Sequence, residues 1–120
     1  MAYFFDTYIL VELVKGNRRF LRFEAEEVKT SHLNMGELYY ALLRDYNKKT
    51  AQHWHRQFAD FLLPASLTVI LRAMELRFAH RRRGFSFIDC VGYELAKEYG
   101  LVFLTGDRAF KGLENAEVVS

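Results

Sequence analysis

Four acidic residues, Asp6, Glu37, Asp89 and Asp107, stand where a carboxylate could do chemistry rather than merely face water. Asp6 ends the apolar run AYFF and Asp107 ends LVFLTG, so two segments that read as buried strands each finish on an acid. Glu37 and Asp89 fall in NMGE and SFID, in the first turns of two segments with helical periodicity. Clustered carboxylates repel one another, which raises their pKa values unless a cation sits among them. Hard oxygen ligands without Cys or paired His favour Mg²⁺ or Mn²⁺. Those ions keep several waters and reach the protein through one or two carboxylates plus phosphate oxygens, which a nucleotide backbone supplies. One or two of them could activate a water and clamp a scissile phosphate. Thr7 and Thr105, each close to an acid, could orient a water or phosphate, and Gly106 would let the backbone pass near the site.

Each acid also has a plain structural reading. Asn34-x-x-Glu37 and Ser86-x-x-Asp89 resemble capping boxes, in which the third helical residue bonds back to the cap. Asp6 could cap the helix after it, and Asp107 the turn that starts at Arg108. Any one of these readings suffices for its own residue. Four acids brought to one edge are harder to explain that way.

The elements that must position them can be read from periodicity. Residues 2–5 read as a short buried strand. Ile9, Leu10, Leu13 and Val14 then recur at helical spacing up to Gly16. Asn17 is placed to cap a second helix carrying Phe20, Leu21 and Phe23, and 28–32 reads as a strand. Helices are expected over 34–49, 51–62, 67–82 and 86–99, the last burying Ile88, Val91, Leu95 and Tyr99, with Pro64 and Gly84 as stops. Residues 101–104 and 116–119 read as strands on either side of a helical turn over 108–113. Short apolar strands separated by helices imply an α/β three-layer sandwich with a central, mainly parallel sheet. Ligands bind such sheets outside the carboxyl ends of the strands, where the next helices begin. All four acids are expected there.

The chain has 120 residues, 51% of them hydrophobic and 16% aromatic, enough to fill the core of one domain and leave no room for a second. Its single Cys90 excludes an internal disulfide and a Cys-based zinc site, and His53 and His55, two apart, would point to different sides of a helix. No segment approaches the roughly 20 apolar residues of a membrane span, and the N-terminus lacks the pattern of a signal peptide. A soluble cytoplasmic protein with no membrane partner is expected. Lys and Arg number 17 against 15 acids, and they cluster as Arg18/Arg19/Arg22, Arg44/Lys48/Lys49 and His80/Arg81/Arg82/Arg83. Cations suit helix C-termini, but three clusters on a chain with separated acids suit a polyanion better, and Arg81, Arg82 and Arg83 are the candidate RNA contacts. The aromatics Tyr39, Tyr40, Trp54 and Phe58 serve either the core or an assembly surface.

FFDT, NMGELYYALL, SFIDC and LTGDRAFKGLENAEVV, in that order, resemble a PIN domain, specifically the VapC-type toxin ribonucleases, over essentially the whole chain. The resemblance implies one PIN-like domain over 1–120 and a metal-dependent endoribonuclease that cuts RNA phosphodiester bonds by water attack. On the matching positions Asp6, Glu37, Asp89 and Asp107 would be catalytic and hold Mg²⁺ or Mn²⁺, with Thr105 supporting the pocket. It further implies a homodimer, the toxin of a toxin-antitoxin pair, inhibited by a cognate antitoxin. Tyr8 departs from the family pattern, which often has a small hydroxyl residue there.

Two other classes compete. Haloacid dehalogenase phosphatases also open on a strand ending in Asp, but they need a second Asp two residues later, where this chain has Tyr8. The second is a non-catalytic PIN-like module that binds RNA or protein and uses its acids as caps.

Overall fold

The computed structural model describes residues 2–20 and 27–119, with the backbone alone at 21–23. Its elements are β1 (Ala2–Phe5), α1 (Thr7–Val14), β2 (Glu27–Ser31), α2 (His32–Asp45), α3 (Lys48–Phe58), β3 (Leu62–Leu63), α4 (Leu67–Ala79), α5 (Phe87–Glu98), β4 (Val102–Thr105) and β5 (Ala116–Val118). The five strands form one sheet in the order β3-β2-β1-β4-β5, and every pairing is parallel. The expected sandwich is therefore present, with a sheet that is parallel throughout.

Side chains alternate across a strand, so a buried sheet must feed two cores. Tyr3 and Phe5 of β1 and Leu104 of β4 join Ile9, Leu10, Leu38 and Leu42 on one face. Phe4 and Phe103 join Val69, Ala73, Val91 and Leu95 on the other. Helices α1, α2 and α3 thus cover the first face, and α4 and α5 the second. Gly92 of α5 sits so close to the sheet that a Cβ there would stand 2.9 Å from Phe4 Cε1 and 3.1 Å from Phe103 Cε1, both on fully buried rings. Gly92→Val should cost roughly 1–3 kcal/mol by overpacking. The expected reading is a lower urea midpoint at unchanged slope. An unmoved midpoint would mean that α5 lifts off the sheet freely.

Several boundaries differ from expectation for identifiable reasons. The break expected between the helices over 34–49 and 51–62 comes earlier, because Tyr46 leaves helical geometry and the Asn47 side chain accepts from Thr50 N at 2.8 Å. Lys48 and Lys49 therefore open α3 instead of closing α2. Leu62, expected to end a helix, instead pairs with Thr30, and Leu63 after it pairs with Ser31, as β3. Asn17 does cap, accepting from Arg19 N at 3.0 Å, but the element it opens is a 3₁₀ turn over Arg18–Phe23. The side chains of Leu21, Arg22 and Phe23, which periodicity and charge assign to that helix and to a basic cluster, lie outside the described residues. Tyr99, expected in the buried stripe of α5, is exposed at its end.

Candidate active site

Asp6 stands directly after β1 and caps α1: its Oδ1 accepts from Ile9 N at 3.1 Å. The side chain is nonetheless buried, 2% exposed. Its Oδ2 accepts a hydrogen bond from the hydroxyl of Thr105, the last residue of β4, and that same hydroxyl accepts from Asp107 N at 3.0 Å. Thr105 thereby ties the ends of the two central strands together. Asp107 in turn caps a 3₁₀ turn, accepting from Ala109 N at 2.9 Å. Gly106, between them, is where the Tyr8 ring packs: a Cβ would lie 2.3 Å from it. The residue that departs from the family pattern is thus the lid over the TGD turn.

Glu37 reaches the same edge by a different route. Its expected capping partner, Asn34, is not a cap, because the helix starts earlier: Ser31 is the cap and accepts from Asn34 N at 3.0 Å. That leaves Glu37 free of capping, and it accepts from the Thr7 hydroxyl at 2.5 Å. Asn34 is fully buried, its Oδ1 accepting from Ser31 Oγ at 2.6 Å and its Nδ2 donating to Thr7 Oγ1 at 3.1 Å. A chain of Ser31, Asn34 and Thr7 therefore orients Glu37. Asn34 and Ser31 are positioning residues that the local sequence did not reveal. A buried Asn is visible as such only once its burial is known.

Asp89 conforms to its capping box, with its N–H donating to Ser86 Oγ at 3.1 Å and its carboxylate hydrogen-bonded to Ser86. The same carboxylate faces the other acids. Burial first, then the repulsion of Asp107 and Glu37, pushes its pKa up to about 6 against the Ser86 hydrogen bond. Asp6 is pushed up to about 7, by burial first and then by Asp89 and Asp107, although Thr105 and Ile9 N stabilise its charge. Asp6, Asp89 and Asp107 thus repel one another at the carboxyl edge of the sheet, and Glu37 adds its charge through Asp89. Capping and clustering coexist, since a carboxylate offers about four lone pairs and a cap uses one.

Among the described residues, no three His, Cys, Asp or Glu side chains converge closely enough to hold a metal ion by themselves. A Mg²⁺ or Mn²⁺ ion asks for less, namely one or two carboxylates and several waters. Asp6 and Asp89, both raised by burial and by neighbouring acids, are donors that fit such a cation.

Arg81, Arg82 and Arg83 form an exposed 3₁₀ turn after α4. Arg72 pairs with Glu98 at 2.9 Å and Arg77 Nε donates to Phe85 O at 3.1 Å, so α4 runs antiparallel to α5 and delivers the triplet beside the Asp89 end. Arg83 also donates to Ala109 O at 3.0 Å, two residues beyond Asp107. Arg81 folds back onto Phe78, with its guanidinium 4.6 Å from the ring centroid.

Tyr39, Trp54 and Phe58 pack against the α1–α3 core, as the plainer reading of those aromatics required, whereas Tyr40 stands 67% exposed. No helix among the described residues is long and apolar enough to cross a membrane.

None of the curated protein sequences matches this chain. In fold it is similar to a toxin-antitoxin complex from Klebsiella pneumoniae, at a TM-score of 0.79 and 18% identity over 97% of this chain and 96% of the other. It is likewise similar to VapBC2 from Rickettsia felis bound to a promoter DNA fragment, with a TM-score of 0.77 and 20% identity over 100% of both chains. VapC20 of Mycobacterium tuberculosis, a toxin that cleaves the sarcin-ricin loop, gives 0.74 and 19% identity over 100% of this chain and 90% of that one. The model of the PIN domain matches residues 3–115, nearly the whole length over which the parallel sheet and its acidic edge are built, and the chain belongs to that family.

Proposed function

We propose that the protein is a metal-dependent endoribonuclease of the VapC toxin type, held in check by a cognate antitoxin and acting as a homodimer. The observation that carries the reading is the buried Asp6 at the carboxyl end of β1, raised to about 7 with Asp89 and Asp107 near enough to add to the rise, while Glu37 acts in the same way on Asp89. Membership of the PIN domain family and likeness to the structure of an RNA-cleaving toxin support it.

Asp6, Glu37, Asp89 and Asp107 would hold Mg²⁺ or Mn²⁺. Such an ion, when bound, makes water a better nucleophile near neutral pH and offsets charge on the phosphate. The chain's own groups have separate tasks. Thr105 and Ile9 N fix both oxygens of Asp6, so its carboxylate is preorganised. Thr7, itself held by Asn34, fixes one oxygen of Glu37. The arginine turn beside Asp89 attracts and holds the RNA backbone, while the Tyr8 ring shields the TGD turn from water.

The carboxylates of Asp6 and Asp107 both cap, and Asp89 sits in the turn capped by Ser86, which favours as a second reading a non-catalytic module that binds RNA or protein. Incubation with a mixed RNA pool in Mg²⁺, in Mn²⁺ and in EDTA separates the two. Cleavage that requires a divalent ion is expected, and RNA retention with no cleavage under any condition would select the binding module. RNA affinity should also fall with salt, and replacing Arg81, Arg82 and Arg83 together with Ala should make the slope of log K against log salt shallower by about 0.7 per lost contact on a single strand. An unchanged slope would remove the triplet from the RNA surface.

A further inference from the structure

Two open cavities lie side by side along α2, one of them bordered by Glu37. One, of about 560 Å³, runs from Thr7 and Glu37 past His32 and Gly36 to Tyr40 and Arg44. The other, of about 470 Å³, lies against Tyr39 and His55 and also borders His32 and Gly36. Sharing those two residues, they form one trough that begins at Glu37 and ends on α3.

Gly36 marks its waist. The residue lies inside α2, its backbone is outside the left-handed region, and a Cβ placed on it would meet nothing within 4 Å. Neither the backbone nor the packing asks for glycine, which weakens a helix interior relative to Ala. What the missing side chain leaves clear is the floor of the trough.

The walls carry the groups that single-stranded RNA uses. Tyr40 exposes most of its ring, and Tyr39 and His55 meet edge to face at 6.5 Å. Among the described residues Arg44, one turn beyond Tyr40, is ion-paired only with its exposed neighbour Asp45, at 2.8 Å, a surface pair weak enough for a phosphate to displace. Unpaired bases stack on aromatic faces while cations track the backbone. A strand whose phosphate lies at Glu37 finds in the trough a path for its neighbouring nucleotides, because the trough opens on Glu37 itself.

We propose that the trough is the subsite for the unpaired nucleotides flanking the cut phosphate, with the base next to the cut stacked on Tyr40 and the strand lying over Gly36. The assignment rests on the ribonuclease reading and names how that activity selects unpaired RNA. Tyr40 is a binding group here.

The test compares wild type, Tyr40→Ala, Tyr40→Phe and Gly36→Leu on a short single-stranded oligoribonucleotide, with or without an abasic position next to the cut. Tyr40→Ala should lower kcat/KM by roughly 5- to 100-fold, mostly through KM, the range that loss of one base-aromatic stack gives. Tyr40→Phe keeps the ring and should stay close to wild type. The abasic substrate should penalise wild type heavily and Tyr40→Ala hardly further. Gly36→Leu should fold at least as stably as wild type by thermal melting, yet bind and cut the strand less well. Equal abasic penalties in wild type and Tyr40→Ala, or undiminished cleavage by Gly36→Leu, would overturn the subsite while leaving the ribonuclease intact, and would return the trough to a protein segment. If wild type cuts no RNA with either metal, the ribonuclease reading falls and takes the subsite with it.

Discussion

Asp6→Asn should lose at least about 100-fold in metal-dependent RNA cleavage, the scale on which one charged catalytic group counts, while folding as well as wild type or better. The two effects have one cause. Asp6 is buried at the junction of β1 and β4, where burial and the charges of Asp89 and Asp107 oppose its ionised form. Asn keeps the oxygen that accepts from Ile9 N, so the cap on α1 survives. It removes the charge that a divalent ion needs and that the buried surroundings resist. Cleavage of a labelled RNA by wild type and variant, beside urea melts of both without metal, measures the pair. Equal cleavage by both proteins would sink the catalytic assignment, and equal stability at pH 8 would show that Asp6 is not strained by its surroundings.

The second expectation is a falling stability between about pH 4 and pH 7 in the metal-free protein. Asp6 has its ordinary pKa of 3.8 in the unfolded chain and about 7 in the fold, so in that window the folded state holds a proton that the unfolded state has released. The derivative of unfolding free energy with pH then carries a negative sign, and stability declines until the folded group also ionises. The full shift corresponds to about 2–4 kcal/mol, or roughly 10 °C in Tm. Asp89, raised to about 6 but partly exposed, adds a smaller decline of the same sign. Mg²⁺ or Mn²⁺ favours the ionised acids, so it should raise Tm far more at pH 8 than at pH 5. Thermal melts across pH with EDTA and with each metal check this. A metal-free Tm that is flat or rising through the window would contradict the burial of these charges, and a metal effect equal at both pH values would contradict their role as ligands.

Where the signal is local, residues and structure agree. AYFFD and LVFLTGD each begin with four apolar residues and end on an acid, and both are strands of the buried sheet centre with Asp6 and Asp107 at their ends. The acidic positions were legible because strand ends and helix starts carry their own chemistry. Their preference for one edge was legible because parallel strands all end on the same side. Asn34 misled because two residues three apart, Ser31 and Asn34, both suit a cap. The choice falls to Ser31 because β2 stops there, and β2 stops where its pairing with β3 stops.

The features that local patterns missed are all of that non-local kind. A two-residue strand such as β3 has no period to read, and it exists because Thr30 and Ser31 offer it an edge. The arginine turn comes to the end of α5 that carries Asp89 because α4 runs back along α5, held through Arg72 to Glu98 and Arg77 to Phe85. Gly36 looks like an ordinary helix weakness until the space above it is seen to be open and continuous with Glu37. Periodicity and capping are written in neighbouring residues, so the amino-acid order alone specified the layers and the four acids. Burial, pairing partners and open space depend on residues far apart in the chain, so the raised pKa of Asp6, the support of Glu37 by Asn34 and the trough along α2 belong to the fold alone.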